Sequence, residues 1–234
     1  MKSYTKKLLL AFIILAVIKI VFSAFILAPS MFNDEYLYAK KAQSFLSNGN
    51  FLVHGQEFPY SFVYPIIISI AYIAKDMGLV FFLMKLMNVL LSGLIIVPAW
   101  LLAREFLDEK KAFMTSLLVS CLPGVFAFSG FILSENLFYT IFLFSIYFIY
   151  KSFTSQKYFF GILAGIFIAL SSLVKNTGLV LLLVPLAGYA SNAVFSKESL
   201  FSKESVCISL CIIKGCEDIS DNGPFPSIER MPAE

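Results

Sequence analysis

The stretch "LLLAFIILAVIKIVFSAFIL", residues 8–27, is apolar over a full membrane thickness and carries one charge, Lys19. A helix rises 1.5 Å per residue, so a run of about 20 residues crosses the roughly 30 Å hydrocarbon core of a bilayer. The pattern recurs along the chain. Leu8–Leu27, Phe81–Ala103, Ala112–Leu133, Asn136–Tyr150, Tyr158–Val174 and Thr177–Phe195 are candidate spans. The chain is 59% hydrophobic and 14% charged, with mean hydropathy +0.84. A soluble domain carries roughly 25% charged residues. The expected fold class is therefore all-α: a polytopic helical transmembrane bundle of about six spans over residues 1–195, with a polar, loosely structured tail over residues 196–234.

Charge distribution sets the expected sidedness. Lys2, Lys6 and Lys7 precede the first run, Arg104, Lys110 and Lys111 follow the second, and Lys151, Lys157, Lys197 and Lys203 flank the later ones. All fall on one side if Tyr64–Ala74, only about half a membrane thick, does not cross. That side is predicted to be cytoplasmic, with both termini there and residues 28–63 outside. The first run exceeds the usual 7–15 residue signal-peptide core, so it reads as a retained anchor. Lys19 is too deep to snorkel easily and should face other helices. Of the four cysteines, Cys121 is in an apolar run. The spacing of Cys207, Cys211 and Cys216, with no nearby histidine, matches no zinc pattern.

Under this topology Asp34, Glu35, Glu135, Lys175 and Lys85 all map to the outer membrane face at similar depth. Charges at span ends commonly face a polar cavity or pair with one another. Each also has a plain structural reading. Lys85 and Lys175 can snorkel. Glu135 can sit at the start of a helix capped by Ser134. Asp34 and Glu35 fall in the first turn of an amphipathic helix that begins at Asn33 and stops at Asn48-Gly49, and the helix dipole favours carboxylates there. Such interfacial helices are expected in the first outer loop. His54, the lone histidine, and the interfacial Tyr64 have ordinary surface and anchoring alternatives. Gly161 and Gly165 read as a close-packing pair.

In chain order, "NDEYLYAKKAQSFLSNG", "FPYSFVYPIIISIAY", "MKLMNVLLSGLIIVPAWLLAREFLD", "LPGVFAFSGFILSENLFYTIFLF" and "ALSSLVKNTGLVLLLVP" resemble the GT-C class of polytopic membrane glycosyltransferases. The closest resemblance is to the protein O-mannosyltransferase and aminoarabinose-transferase superfamily, over roughly residues 5–190. Two departures stand out. Ile66 occupies the place of the second proline in a Tyr-Pro-Pro segment, and family members run to roughly twice this length or more, so the resemblance implies a chain that corresponds to the N-terminal part of such a protein.

The resemblance implies transfer of a sugar from a polyprenyl-phosphate carrier to a protein, lipid or glycan acceptor at the outer face, with the bilayer and no nucleic acid as partners. A base must take the acceptor's proton, and Asp34 is the choice. Glu35 and Glu135 would hold sugar or acceptor hydroxyls. Lys175 and Lys85 would meet the leaving phosphate, and His54 and Tyr64 complete the candidate binding set. No cofactor is expected; the acids form no D-x-D pair, though Glu135 leaves a divalent metal open. The alternatives are a non-catalytic membrane subunit and a transporter. A transporter would place its charges nearer mid-membrane, often in repeated halves.

Overall fold

The computed structural model describes residues 2–26, 33–59, 61–155 and 157–188, with side chains from Tyr4 and, after the first gap, from Asp34. The tail, Cys207, Cys211, Cys216, Tyr60 and the sixth apolar run beyond Gly188 lie outside the described residues. So does the side chain of Asn33.

The described residues form an all-α membrane bundle. Nine α-helices follow in order: α1 (Lys2–Ala24), α2 (Asn33–Asn48), α3 (Val63–Ser69), α4 (Met77–Gly93), α5 (Ile96–Ala103), α6 (Glu109–Ser120), α7 (Pro123–Phe128), α8 (Glu135–Thr154) and α9 (Tyr158–Val174). Short 3-10 turns follow α3, at Ile70–Ile73, and α9, at Asn176–Leu182. Three stretches are long and apolar enough to cross a membrane: Tyr4–Ala24, Met77–Ala103 and Glu135–Thr154. Val63–Ile73, Tyr158–Val174 and Asn176–Gly188 are shorter apolar helices.

Several helices begin and end where local chemistry requires. Asp76 caps α4 by accepting the Leu79 N–H at 2.8 Å, and Asp108 caps α6 by accepting that of Lys111. The second apolar run divides into α4 and α5 around Leu94. Pro98 explains the division: its ring crowds the carbonyl four residues back, and it has no N–H to donate.

The third run, read from sequence as one span over Ala112–Leu133, is broken. α6 ends at Ser120, Pro123 opens the short α7, and residues 129–134 are not helical. Proline is favoured in the first turn of a helix and disfavoured beyond it, so Pro123 restarts a helix here rather than continuing one. The fifth run matches α9. Beyond α9 the chain doubles back so tightly that a Cβ on Gly178 would lie 2.4 Å from the Ser171 carbonyl carbon.

α8 packs along α9 and against α4 and α5; α1 packs on α4 and α6. α2 lies on α3, with Tyr38, Ala39 and Ala42 buried between them. The polar stripe expected on α2 is incomplete, because Lys41 is buried and its ammonium donates to the Phe58 carbonyl at 2.8 Å. Lys19 faces other helices, as its depth requires: it is fully buried and donates to Ser92 Oγ at 2.6 Å. Ser92 in turn donates to the Val125 carbonyl at 3.1 Å.

Candidate active site

The site is organised by the non-helical segment between α7 and α8. Its residues Ser129, Ile132 and Ser134 are wholly buried. Buried backbone without helical bonds needs partners from elsewhere, most strictly inside a membrane. Three polar side chains supply them. Glu35 Oε1 accepts the Ile132 N–H at 2.8 Å. Asn88 Nδ2 donates to the Phe131 carbonyl at 2.9 Å. Asn136 Nδ2 donates to the carbonyls of Phe128, Phe131 and Leu133 at 2.9, 3.1 and 3.1 Å. Side chains from α2, α4 and α8 thus hold one loop.

That loop delivers Ser134 and Glu135. Ser134 Oγ lies 3.0 Å from the Tyr38 hydroxyl, which ties α2 to the start of α8. The Ser134 backbone is helical and its side chain makes no capping bond, so the capping role expected for it does not occur. The Tyr38 ring meets the Tyr64 ring edge-on at 5.1 Å. The Tyr64 hydroxyl donates to Asn88 Oδ1 at 2.8 Å. Tyr64 is wholly buried, within the electrostatic influence of both Glu35 and Glu135.

Glu135 stands in the first turn of α8 and Lys175 just past the end of α9. Lys175 Nζ is 2.5 Å from Glu135 Oε1, with side-chain exposures of 37% and 18%. Ser61 Oγ donates to the Leu173 carbonyl, bringing the segment before α3 to the same end of α9. Asp34 is half-buried in the first turn of α2, beside the buried Glu35.

Two candidates stand somewhat apart. Lys85 donates to the carbonyls of Ser23, at 3.1 Å, and Ile26, closing the C-terminal end of α1. Glu35 acts on it electrostatically. Lys85 also lines a groove of about 270 Å³ between α1 and α4, whose other walls include Ile20, Phe81, Phe82 and Leu86. His54 sits on the exposed turn closed by the Val53–Gln56 bridge, with its backbone in the left-handed region at φ 51°. Its Nε2 is 2.7 Å from the Tyr36 hydroxyl, and the two rings stack. His54 therefore joins the first turn of α2, and its hydrogen bond is to a tyrosine rather than to an acid.

Asn88 and Asn136, central to this arrangement, were missed by the sequence reading. Asn88 carried a signal, being an uncharged amide inside an apolar run, where an unsatisfied polar group is costly and a partner is to be expected, whereas Asn136 stands at the polar edge of one. Among the described residues no three His, Cys, Asp or Glu side chains gather as a metal-binding group.

The assembly presents a paired ammonium and carboxylate, Lys175 and Glu135, beside a hydrogen-bonded loop held from α2, whose first turn carries the half-buried Asp34. An ammonium has three donors, and Glu135 takes one of those of Lys175.

A family model described as dolichyl-phosphate-mannose-protein mannosyltransferase matches residues 61–213. No match was found among curated proteins or among solved structures.

Proposed function

The chain belongs to the dolichyl-phosphate-mannose-protein mannosyltransferase family, membrane glycosyltransferases of GT-C type, and from that membership we propose that it moves a sugar from a polyprenyl-phosphate carrier to an acceptor hydroxyl at the outer membrane face. Asp34 is the base. The acceptor O–H gives its proton to the Asp34 carboxylate while the oxygen bonds to the anomeric carbon. The bond from that carbon to the carrier phosphate breaks, and its electron pair goes to the phosphate oxygen. A phosphate needs no proton to leave; it needs positive charge. Lys175 supplies it through the donors that Glu135 does not use, and Lys85 supplies more from the α1–α4 groove.

The observation that carries this reading is the convergence of α2, α8 and α9: Tyr38 on Ser134 and Lys175 on Glu135 bring together charges from distant parts of the sequence. Glu35 and Tyr64, both buried, position this assembly. Glu135 orients Lys175, and His54 fixes the first turn of α2 through Tyr36.

The test is sugar transfer from a polyprenyl-phosphate donor in reconstituted membranes, with expression levels matched. Removing a general base typically costs about 10²–10⁴-fold, and Asp34→Asn is expected to lower transfer by that factor while the protein still inserts. Near-normal transfer by this variant eliminates Asp34 as the base.

A further inference from the structure

One hydroxyl beside the Lys175–Glu135 pair has no task in the chemistry above. Tyr139 lies four residues after Glu135 on α8, so the two share a helical face one turn apart. Its ring packs 6.3 Å from that of Phe128, the last residue of α7, which steadies it against the broken segment. The side chain is half-buried, and the charges of both Glu135 and Lys175 act on its phenol. Among the described residues that phenol makes no hydrogen bond. Other tyrosines nearby differ in this respect. The hydroxyls of Tyr38, Tyr64 and Tyr72 are held by Ser134, Asn88 and the Ala39 carbonyl. Nor is Glu135 the partner of Tyr139: its Oε1 meets Lys175, and its Oε2 lies 3.5 Å from Ser134 Oγ.

The place of this phenol along α8 selects what it can meet. α8 is long and apolar enough to cross the membrane from Glu135 to Thr154, so Tyr139 lies about 6 Å further into the bilayer than Glu135. A ligand with a hydrocarbon tail keeps that tail in the bilayer and brings its polar end to the pair from this side. An acceptor hydroxyl arrives instead from the water. The polar end of such a carrier is a phosphate, whose oxygens accept hydrogen bonds and need donors. Lys175 has donors that Glu135 does not use, and a tyrosine hydroxyl has one O–H to give. Hydrogen bonds to an ionised acceptor are roughly twice as strong as neutral ones.

Building on the transferase reading, we propose that the Tyr139 phenol donates a hydrogen bond to the carrier phosphate beside Lys175. The proton stays on the phenol throughout. As the bond from the anomeric carbon to the phosphate breaks, its electron pair gives that phosphate a second negative charge. The hydrogen bond from Tyr139 strengthens as this charge develops, so it favours the transition state over the bound donor. Tyr139 thereby supplies on the bilayer side what Lys175 supplies at the helix ends.

The experiment uses the full chain in nanodiscs and two probes, farnesyl phosphate and farnesol, which share a hydrocarbon tail and differ in the phosphate. Farnesyl phosphate carries the two negative charges of the leaving group. Calorimetric titration is expected to show that the unmutated chain binds it more tightly than farnesol. Tyr139→Phe removes the hydroxyl alone. It should weaken farnesyl phosphate about tenfold, the scale of one hydrogen bond to a charged group, and leave farnesol binding as it was. Unchanged farnesol binding also shows that the variant is folded. An equal loss for both probes would mark a packing role and overturn the proposal. So would farnesyl phosphate binding that Tyr139→Phe does not alter. A chain that binds both probes equally sinks the transferase reading and this assignment together. A preference for the phosphate that Lys175→Met removes and Tyr139→Phe keeps sinks this assignment alone.

Discussion

Lys175 and Glu135, forty residues apart in sequence, meet with Nζ 2.5 Å from Oε1. The contact joins two helix ends whose dipoles already favour it: a carboxylate in the first turn of α8 and an ammonium just beyond the last turn of α9. Exposures of 37% and 18% allow solvent to screen the pair. A double-mutant cycle with Lys175→Met and Glu135→Gln, read by thermal unfolding in detergent, is expected to give a coupling of about 1 kcal/mol rather than the larger values of fully buried pairs. In transfer, Lys175→Met should lose more than Glu135→Gln, because in the proposed reaction the lysine, and not its carboxylate partner, meets the phosphate. Strictly additive stabilities would show that the two side chains do not interact.

Asp34 and Glu35 are neighbours with different jobs. The Glu35 carboxylate is buried against the Ile132 N–H, whereas Asp34 is half-buried. Leaving a buried backbone donor unsatisfied costs about 1–3 kcal/mol. Glu35→Ala should therefore lower the unfolding temperature clearly and expose residues 129–134 to hydrogen exchange. Asp34→Ala should lower the unfolding temperature less than Glu35→Ala and leave residues 129–134 protected, since Asp34 is half-buried and the Ile132 N–H is held by Glu35. Equal losses of stability from the two variants would contradict this division.

Much of this fold was legible because its signals are local. The apolar runs mark α1, α4, α8 and α9, and the amphipathic pattern after Asn33 marks α2. The half-length run at Tyr64–Ala74 appears as α3 and its 3-10 extension. Less legible was the break in the run Ala112–Leu133. Hydropathy cannot report it, since residues 129–134 are as apolar as a span; what permits a non-helical backbone there is the adjacent Asn136 together with Glu35 and Asn88, which are distant in sequence. The same holds for Lys41: its position on α2 reads as polar surface until the Phe58 carbonyl is brought over it. The sequence led to an expectation that the acids and lysines share one membrane face, but could not indicate that Lys175 pairs with Glu135.

The doubling back after α9 depends on a missing side chain. A Cβ at Gly178 would stand 2.4 Å from the Ser171 carbonyl carbon and 2.6 Å from its oxygen. These are backbone atoms that cannot rotate away. Gly178→Ala is expected to cost about 1–3 kcal/mol, in the range of overpacked sites. Gly124→Ala is the control, because its Cβ would approach nothing nearer than 3.9 Å from Phe128, and alanine favours a helix over glycine by up to about 1 kcal/mol. Thermal unfolding should separate the two variants, with Gly178→Ala shifted down and Gly124→Ala unchanged or shifted up. Because Lys175 lies between Ser171 and Gly178 in sequence, Gly178→Ala should also reduce transfer.

The side of the membrane on which this end of the bundle lies is open to a direct measurement. Basic residues concentrate at the other end: Lys151 pairs with Glu105 at 2.7 Å, and Arg104 stacks on Trp100 at 4.7 Å. Glu135 and Lys151 bracket α8 and are separated by sixteen residues, about 24 Å of helix rise, so they approach opposite membrane surfaces. An excess of Lys and Arg marks the cytoplasmic side, which would set Glu135, α2 and the Val53–Gln56 turn outside. Gln56 is exposed on that turn and makes a suitable reporter. In a chain with its native cysteines replaced, Gln56→Cys should react with a membrane-impermeant maleimide in intact cells. A cysteine at Lys110, exposed near the start of α6 by its place after Asp108, should react only after permeabilisation. The reverse pattern would put the candidate site on the cytoplasmic face, and a carrier presenting its sugar outside could not then be the donor.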